Sequence, residues 1–118
     1  MQEQFNQMVA GLKKPGEDIL SSLTPEKCDL IHMAMGVAFE AAELGDAIKK
    51  HVIYNKELDM ENVIEELGDI EFFLEGIRQS LSLTREQCIE ANIKKLGVRY
   101  QAGVYSDRAA QDRADKAE

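Results

Sequence analysis

Two long runs of apolar residues recur at helical spacing, and a glutamate stands in the middle of each. The first run carries Leu30, Met33, Val37, Leu44 and Ile48, and the second Val63, Ile64, Leu67, Ile70, Phe73, Leu74 and Ile77. Spacing of three and four residues puts such side chains on one face of an α-helix, whereas a half-buried strand would alternate at every second position. On a wheel turning about 100° per residue, Met33, Val37, Leu44 and Ala47 lie within roughly 60° of Glu40. Val63, Ile70, Phe73 and Ile77 surround Glu66 in the same way. Both glutamates are therefore expected to point inward. Each is followed three residues later by a second acid, Glu43 and Asp69, at the edge of the apolar stripe.

Breakers and capping residues delimit the rest. Phe5, Met8, Val9 and Leu12 predict a short amphipathic helix within residues 1–14, ended by Pro15-Gly16. A brief turn with Ile19, Leu20 and Leu23 follows. Thr24 is a good N-cap and Pro25 suits the first helical position, so the first long helix is expected from there to about Lys50 or His51. Asp59 can cap the second, which loosens at Ser80-Leu81-Ser82. Thr84-Arg85-Glu86-Gln87 has the form of a capping box for a third helix, with Ile89, Ile93 and Leu96 as its stripe and Gly97 as its end. Beyond an irregular stretch to Tyr105, Ser106 can cap a final alanine-rich, charged segment that is expected to be exposed or frayed.

The 118 residues fit one helical domain: an N-terminal arm over 1–23, the acid-bearing helices over 24–100 and a tail over 101–118. The fold class is all-α, since aromatic residues are 6% of the chain, prolines number two and tryptophan is absent. A chain this short builds only a thin core, so a sizeable site calls for a second subunit. The net charge of -8 argues against a protein whose main work is gripping nucleic-acid phosphates. With no leader-like N-terminus and no apolar run long enough to span a bilayer, the expectation is a soluble, cytoplasmic protein without a membrane partner. Cys28 and Cys88 form no metal or redox pattern and are read as reduced, packed thiols.

A carboxylate in a low-dielectric interior must protonate, pair with a base or bind a metal. Bases are few along these two helices. Two acid pairs on packed helices would bring four carboxylates together, and their mutual repulsion is relieved by a cation between them. Oxygen-only ligation suits Mg²⁺, or Mn²⁺, with positions left for water and substrate phosphate oxygens. A lone ExxE arises often by chance in acidic helices, and Glu57, Glu61, Glu65 and Glu71 are assigned to solvated faces. Two pairs, each centred on the stripe of a different long helix, are much less ordinary. A di-iron bundle would need Glu-x-x-His, which neither pair supplies.

Glu40-Ala41-Ala42-Glu43-Leu44, followed by Glu65-Glu66-Leu67-Gly68-Asp69-Ile70, resembles the ExxE and ExxD motifs of the MazG-like all-α nucleoside triphosphate pyrophosphohydrolases. Asn92-Ile93-Lys94-Lys95-Leu96 and Arg99-Tyr100 are similar to that family's C-terminal Asn, Lys and Arg-Tyr motif, and the whole resemblance spans about residues 30 to 108. It implies a four-helix-type bundle completed by oligomerisation, as a homodimer or a homotetramer built as a dimer of dimers. It also implies that Glu40, Glu43, Glu66 and Asp69 hold Mg²⁺ and carry catalysis, while Asn92, Lys95, Arg99 and Tyr100 bind a nucleoside triphosphate. The family's pattern continues after Arg-Tyr with proline and then phenylalanine, where this chain has Gln101 and then Tyr105.

The activity expected is cleavage of a nucleoside or deoxynucleoside triphosphate to the monophosphate and pyrophosphate, as nucleotide-pool cleansing. Lys49 and Lys50 are lesser phosphate-binding candidates, and His51 is read as decorating its helix end. Two alternatives stay open: a relative dedicated to dUTP or phosphoribosyl-ATP, and a non-catalytic helical module that binds nucleotide or a basic partner.

Overall fold

Every long helix begins at the capping residue that its sequence provides. In the computed structural model, which describes residues 1–116, the elements are α1 (Gln2–Leu12), α2 (Gly16–Ser22), α3 (Pro25–Val52), α4 (Met60–Ser80), α5 (Arg85–Arg99) and α6 (Asp107–Asp112), followed by a 3₁₀ turn at Ala114–Lys116. All regular structure among the described residues is helical. The Thr24 hydroxyl accepts from the Lys27 N–H at 3.2 Å, and the Asp59 carboxylate from the Asn62 N–H at 3.1 Å. At Thr84 the box is complete: its hydroxyl accepts from the Gln87 N–H at 3.1 Å, and the Gln87 side chain accepts from the Thr84 N–H at 2.8 Å. Each such cap satisfies a backbone donor that the first helical turn leaves without a partner.

Three segments depart from the sequence reading. The stretch after Pro15 is a helix, α2, and not merely a turn. Gly97 does not end α5, which runs on to Arg99 because the Tyr100 N–H still reaches the Leu96 carbonyl at 2.8 Å. The tail is mostly exposed, as expected, but it is not frayed as far as Lys116: α6 is capped by Ser106, and Arg113, at φ 49°, turns the chain back onto α5. The last two positions of the expected tail segment, Ala117 and Glu118, lie outside the described residues.

Only one pair of long helices packs together. α3 and α4 form an antiparallel hairpin, and α5 packs against α6 and the 3₁₀ turn; other pairs make no more than marginal contact among the described residues. Met33 meets Gly76, Gly36 meets Phe73, and Glu40 meets Glu66 and Asp69, so the partners step in opposite directions along the two helices. The glycines are what let the helices approach: at Gly36 there is no room for a methyl group beside the Phe73 ring, and Gly76 is covered by Met33. At the loop end the His51 ring bonds the Lys56 carbonyl through Nδ1 at 2.8 Å, which ties the connection to α3.

The hairpin uses only one face of each helix. Val63, Ile70, Phe73, Leu74 and Ile77 are half-buried as expected, but Ile64 and Leu67 are exposed on α4. The expected α5 stripe of Ile89, Ile93 and Leu96 is not covered by another long helix among the described residues and is exposed too. Cys28 and Cys88 are likewise exposed, contrary to their reading as packed thiols, since the helix faces they occupy are uncovered.

Candidate metal centre

Glu40 and Asp69 sit one helical turn beyond the Gly36 and Phe73 contact, where the two backbones are held close, and Glu66 lies about one turn further along α4. That approach brings acids from different helices into reach of one another. Glu40, Glu66 and Asp69 each offer one carboxylate oxygen, and the three oxygens lie within 4.8 Å of one another, the reach of a shared cation. Glu66 is the most enclosed at 8% exposure, Glu40 is half-buried and Asp69 exposed, so the cluster opens on one side.

Glu66 Oε2 is buried with no hydrogen-bond partner among the described residues. Stranded buried polar atoms are rare and costly, and an acceptor left this way suits a proton or a cation. The carboxyl group of Glu66 is accordingly pushed up from 4.5 to about 7. The first cause is sharing a hydrogen bond with the Glu40 carboxyl; burial comes next, then repulsion from Glu40, Glu43 and Asp69. A divalent cation would remove the repulsion, fill the coordination of Oε2 and displace the proton. The donor set is all oxygen and carries several negative charges, which fits Mg²⁺ or Mn²⁺ and not a soft metal.

Of the four acids expected at the centre, Glu43 stands apart. It is exposed on α3, outside the converging group, although near enough to repel Glu66. With Phe39, Ala42 and Asp46 it lines a hollow of about 400 Å³ at the rim. Glu57, Glu61, Glu65 and Glu71 are exposed, as expected of solvated acids.

The α5 residues are not brought to this layer within one chain, because α5 does not pack on the hairpin. Asn92 and Lys95 are exposed on α5. Arg99 is engaged by the tail, its Nε donating to Asp115 Oδ1 at 2.7 Å and its Nη2 to Oδ2 at 3.1 Å. Tyr100 packs on Tyr105 with ring centroids 5.8 Å apart, and both border an apolar hollow of about 370 Å³ with Leu96, Gly97, Gly103 and Val104. In the single chain the fold-back of the tail thus engages both Arg99 and Tyr100, the residues expected to bind the nucleotide. Lys50 pairs with Asp46 at 3.1 Å and Lys49 lies 5.5 Å over the Tyr54 ring, so the α3 lysines serve local contacts.

Sequence reasoning missed Gly36 and Gly76. Their signal was present: each is a glycine in the interior of a long helix, where glycine costs about 1 kcal/mol against alanine and so implies a close approach. Comparison with protein families, with curated proteins and with solved structures gives no match.

Proposed function

We propose that this protein is a divalent-metal-dependent nucleoside triphosphate pyrophosphohydrolase, releasing the monophosphate and pyrophosphate. The observation that carries the reading is the convergence of Glu40, Glu66 and Asp69 from two helices around a buried carboxylate oxygen without a partner. Glu40, Glu66 and Asp69 hold Mg²⁺, and Glu43, at the rim, adds to the negative field that draws the cation in. When bound, such an ion neutralises phosphate charge and makes a water nucleophilic near neutral pH. The hairpin contributes position: the glycine contacts fix the helix separation, and the apolar residues on either side of Glu40 and Glu66 limit water around them. Asn92 and Lys95, on one face of α5, supply an amide and a point charge for the phosphates.

The test is a panel of nucleoside and deoxynucleoside triphosphates incubated with and without Mg²⁺, with product identification. The expected products are monophosphate and pyrophosphate, formed only with the metal. Diphosphate plus phosphate, or no turnover of any member, would overturn the proposal. Preference for dUTP or phosphoribosyl-ATP would identify a dedicated relative with the same metal chemistry.

We infer also that the working form is an oligomer, a dimer or a dimer of dimers with a four-helix-type core. The radius of gyration is 20.0 Å, whereas a compact chain of this length has about 13.5 Å. Its accessible surface is 9863 Å² against roughly 6,400 Å² for a compact protein of 13.2 kDa. The excess is on the scale of an obligate subunit interface. Beside the faces used in the hairpin, α3 presents Ile31, Met35 and Phe39 and α4 presents Met60, Ile64 and Leu67 as second, uncovered stripes. Among the described residues Ala47 is the only buried hydrophobic side chain, too little to hold a lone chain folded. Light scattering coupled to gel filtration is expected to return at least twice the 13.2 kDa chain mass. Met35→Asp with Phe39→Asp should dissociate and largely unfold it; a folded monomer at micromolar concentration would refute the inference.

A further inference from the structure

Asn92, Lys95 and Arg99 follow one another at i, i+3 and i+7, which aligns them along a single face of α5. The first two are exposed, while the third is already occupied by an anion from its own chain. Arg99 grips Asp115 with two parallel hydrogen bonds of 2.7 and 3.1 Å, the fork geometry that a guanidinium offers to a carboxylate and to a phosphate alike. The pair is shielded, with the Arg99 side chain 16% and the Asp115 side chain 3% exposed. The guanidinium holds the Asp115 carboxyl below its usual range, so the competitor stays charged.

We propose that the C-terminal turn is a built-in competitor for the anion-binding face of α5, with the Asp115 carboxylate occupying the guanidinium that a substrate phosphate takes when the turn opens. This rests on the reading of α5 as the phosphate-binding helix and adds its regulation. The fastening is made to open. The turn Ala114–Lys116 carries no large apolar side chain, and beyond the Tyr105 contact the apolar side chains half-buried among the described tail residues are the small ones of Ala109, Ala110 and Ala114. Its reversal requires Arg113 at φ 49°, a backbone conformation that side chains other than glycine adopt at a cost. A buried ion pair is close to break-even against hydration of its two charges. A polyphosphate brings more charge than one carboxylate and meets Lys95 as well, so it competes on favourable terms.

The experiment uses inorganic pyrophosphate as the probe, titrated without metal into the full chain and into Asp115→Asn, with the Arg99 Nε–H resonance followed by NMR. If the closed turn is populated about nine to one, removing it tightens apparent binding about tenfold. In the unsubstituted chain the titration is expected to shift the Arg99 Nε–H and the amides of residues 113–116 together. Arg99→Ala should abolish the gain of Asp115→Asn when the two are combined, and circular dichroism checks that each variant keeps its helices. Equal or weaker binding by a folded Asp115→Asn, or shifts at Asn92 and Lys95 that leave Arg99 unmoved, would overturn the proposal. Pyrophosphate displacing Asp115 in a protein that hydrolyses no triphosphate would sustain the competitor and sink the enzyme; normal turnover with an unchanged KM in Asp115→Asn would do the reverse.

Discussion

Glu66→Gln is expected to lower metal-dependent pyrophosphate release by on the order of 10³-fold, because it removes the most enclosed charge of the group that fixes the cation. Glu40→Gln should do nearly the same, whereas Glu65→Gln, on the solvated side of α4, should leave the rate within a factor of about two. The same variant carries a pH signature that separates a cation site from an ordinary buried acid. In the metal-free fold Glu66 titrates at about 7 against 4.5 for the free side chain. A raised acid binds its proton more tightly when folded, so its stabilising contribution is complete below pH 4.5 and disappears as the pH rises through about 7. Without metal, the melting temperature of the unsubstituted protein should therefore fall between about pH 5 and 8 relative to that of Glu66→Gln. Added Mg²⁺ should restore it most strongly at the alkaline end, where the proton no longer competes for the Glu66 carboxylate. Parallel melting curves for the two proteins, insensitive to Mg²⁺, would remove the physical basis of the metal centre.

Gly36→Ala tests how the acids come to be in place. A methyl group at Gly36 overlaps the Phe73 ring, while one at Gly45, on the same helix, meets nothing within 4 Å. Each substitution gains about 1 kcal/mol of helix propensity. At Gly36 the overlap should outweigh that gain by forcing α3 and α4 apart, a net loss of about 2 kcal/mol or more. Gly45→Ala should instead stabilise by about 0.5–1 kcal/mol. Denaturant midpoints compare the two directly, and Phe73→Leu added to Gly36→Ala should recover part of the loss. Because the acids lie within two turns of this contact, Gly36→Ala should also weaken the Mg²⁺ response in protein that remains folded. A stabilised Gly36→Ala with full activity would mean that the helix separation is set elsewhere.

The acid layer was largely legible in the residue order. A glutamate amid Met33, Val37, Leu44 and Ala47 contradicts the helical pattern around it, and the same contradiction at Glu66 suggests that the two are neighbours. Periodicity is a property of one helix, however, and says nothing about how far along its partner an acid will lie. It therefore placed Glu43 and Asp69 on equal terms, where the antiparallel register brings Asp69 into the group and leaves Glu43 at the rim. The stripes on α3 and α4 were likewise read as single faces. The exposure of Ile64, Leu67 and Phe39 shows that each helix is apolar on more than one side, which periodic counting around a chosen glutamate does not separate.

Arg99 shows where local reasoning stops. Its place on the α5 face with Asn92 and Lys95 follows from numbering alone, but its partner is 16 residues further along the chain. That partner lies in an alanine-rich, charged segment without large apolar side chains. What the amino-acid order determined by itself is what acts over one or two turns: where helices start, which faces are apolar, and which acids break the pattern. What the tertiary structure decided is register and partnership, set by the close approach at Gly36 and Gly76 and by a turn at Arg113, because contacts between distant residues depend on backbone separations that no local preference encodes.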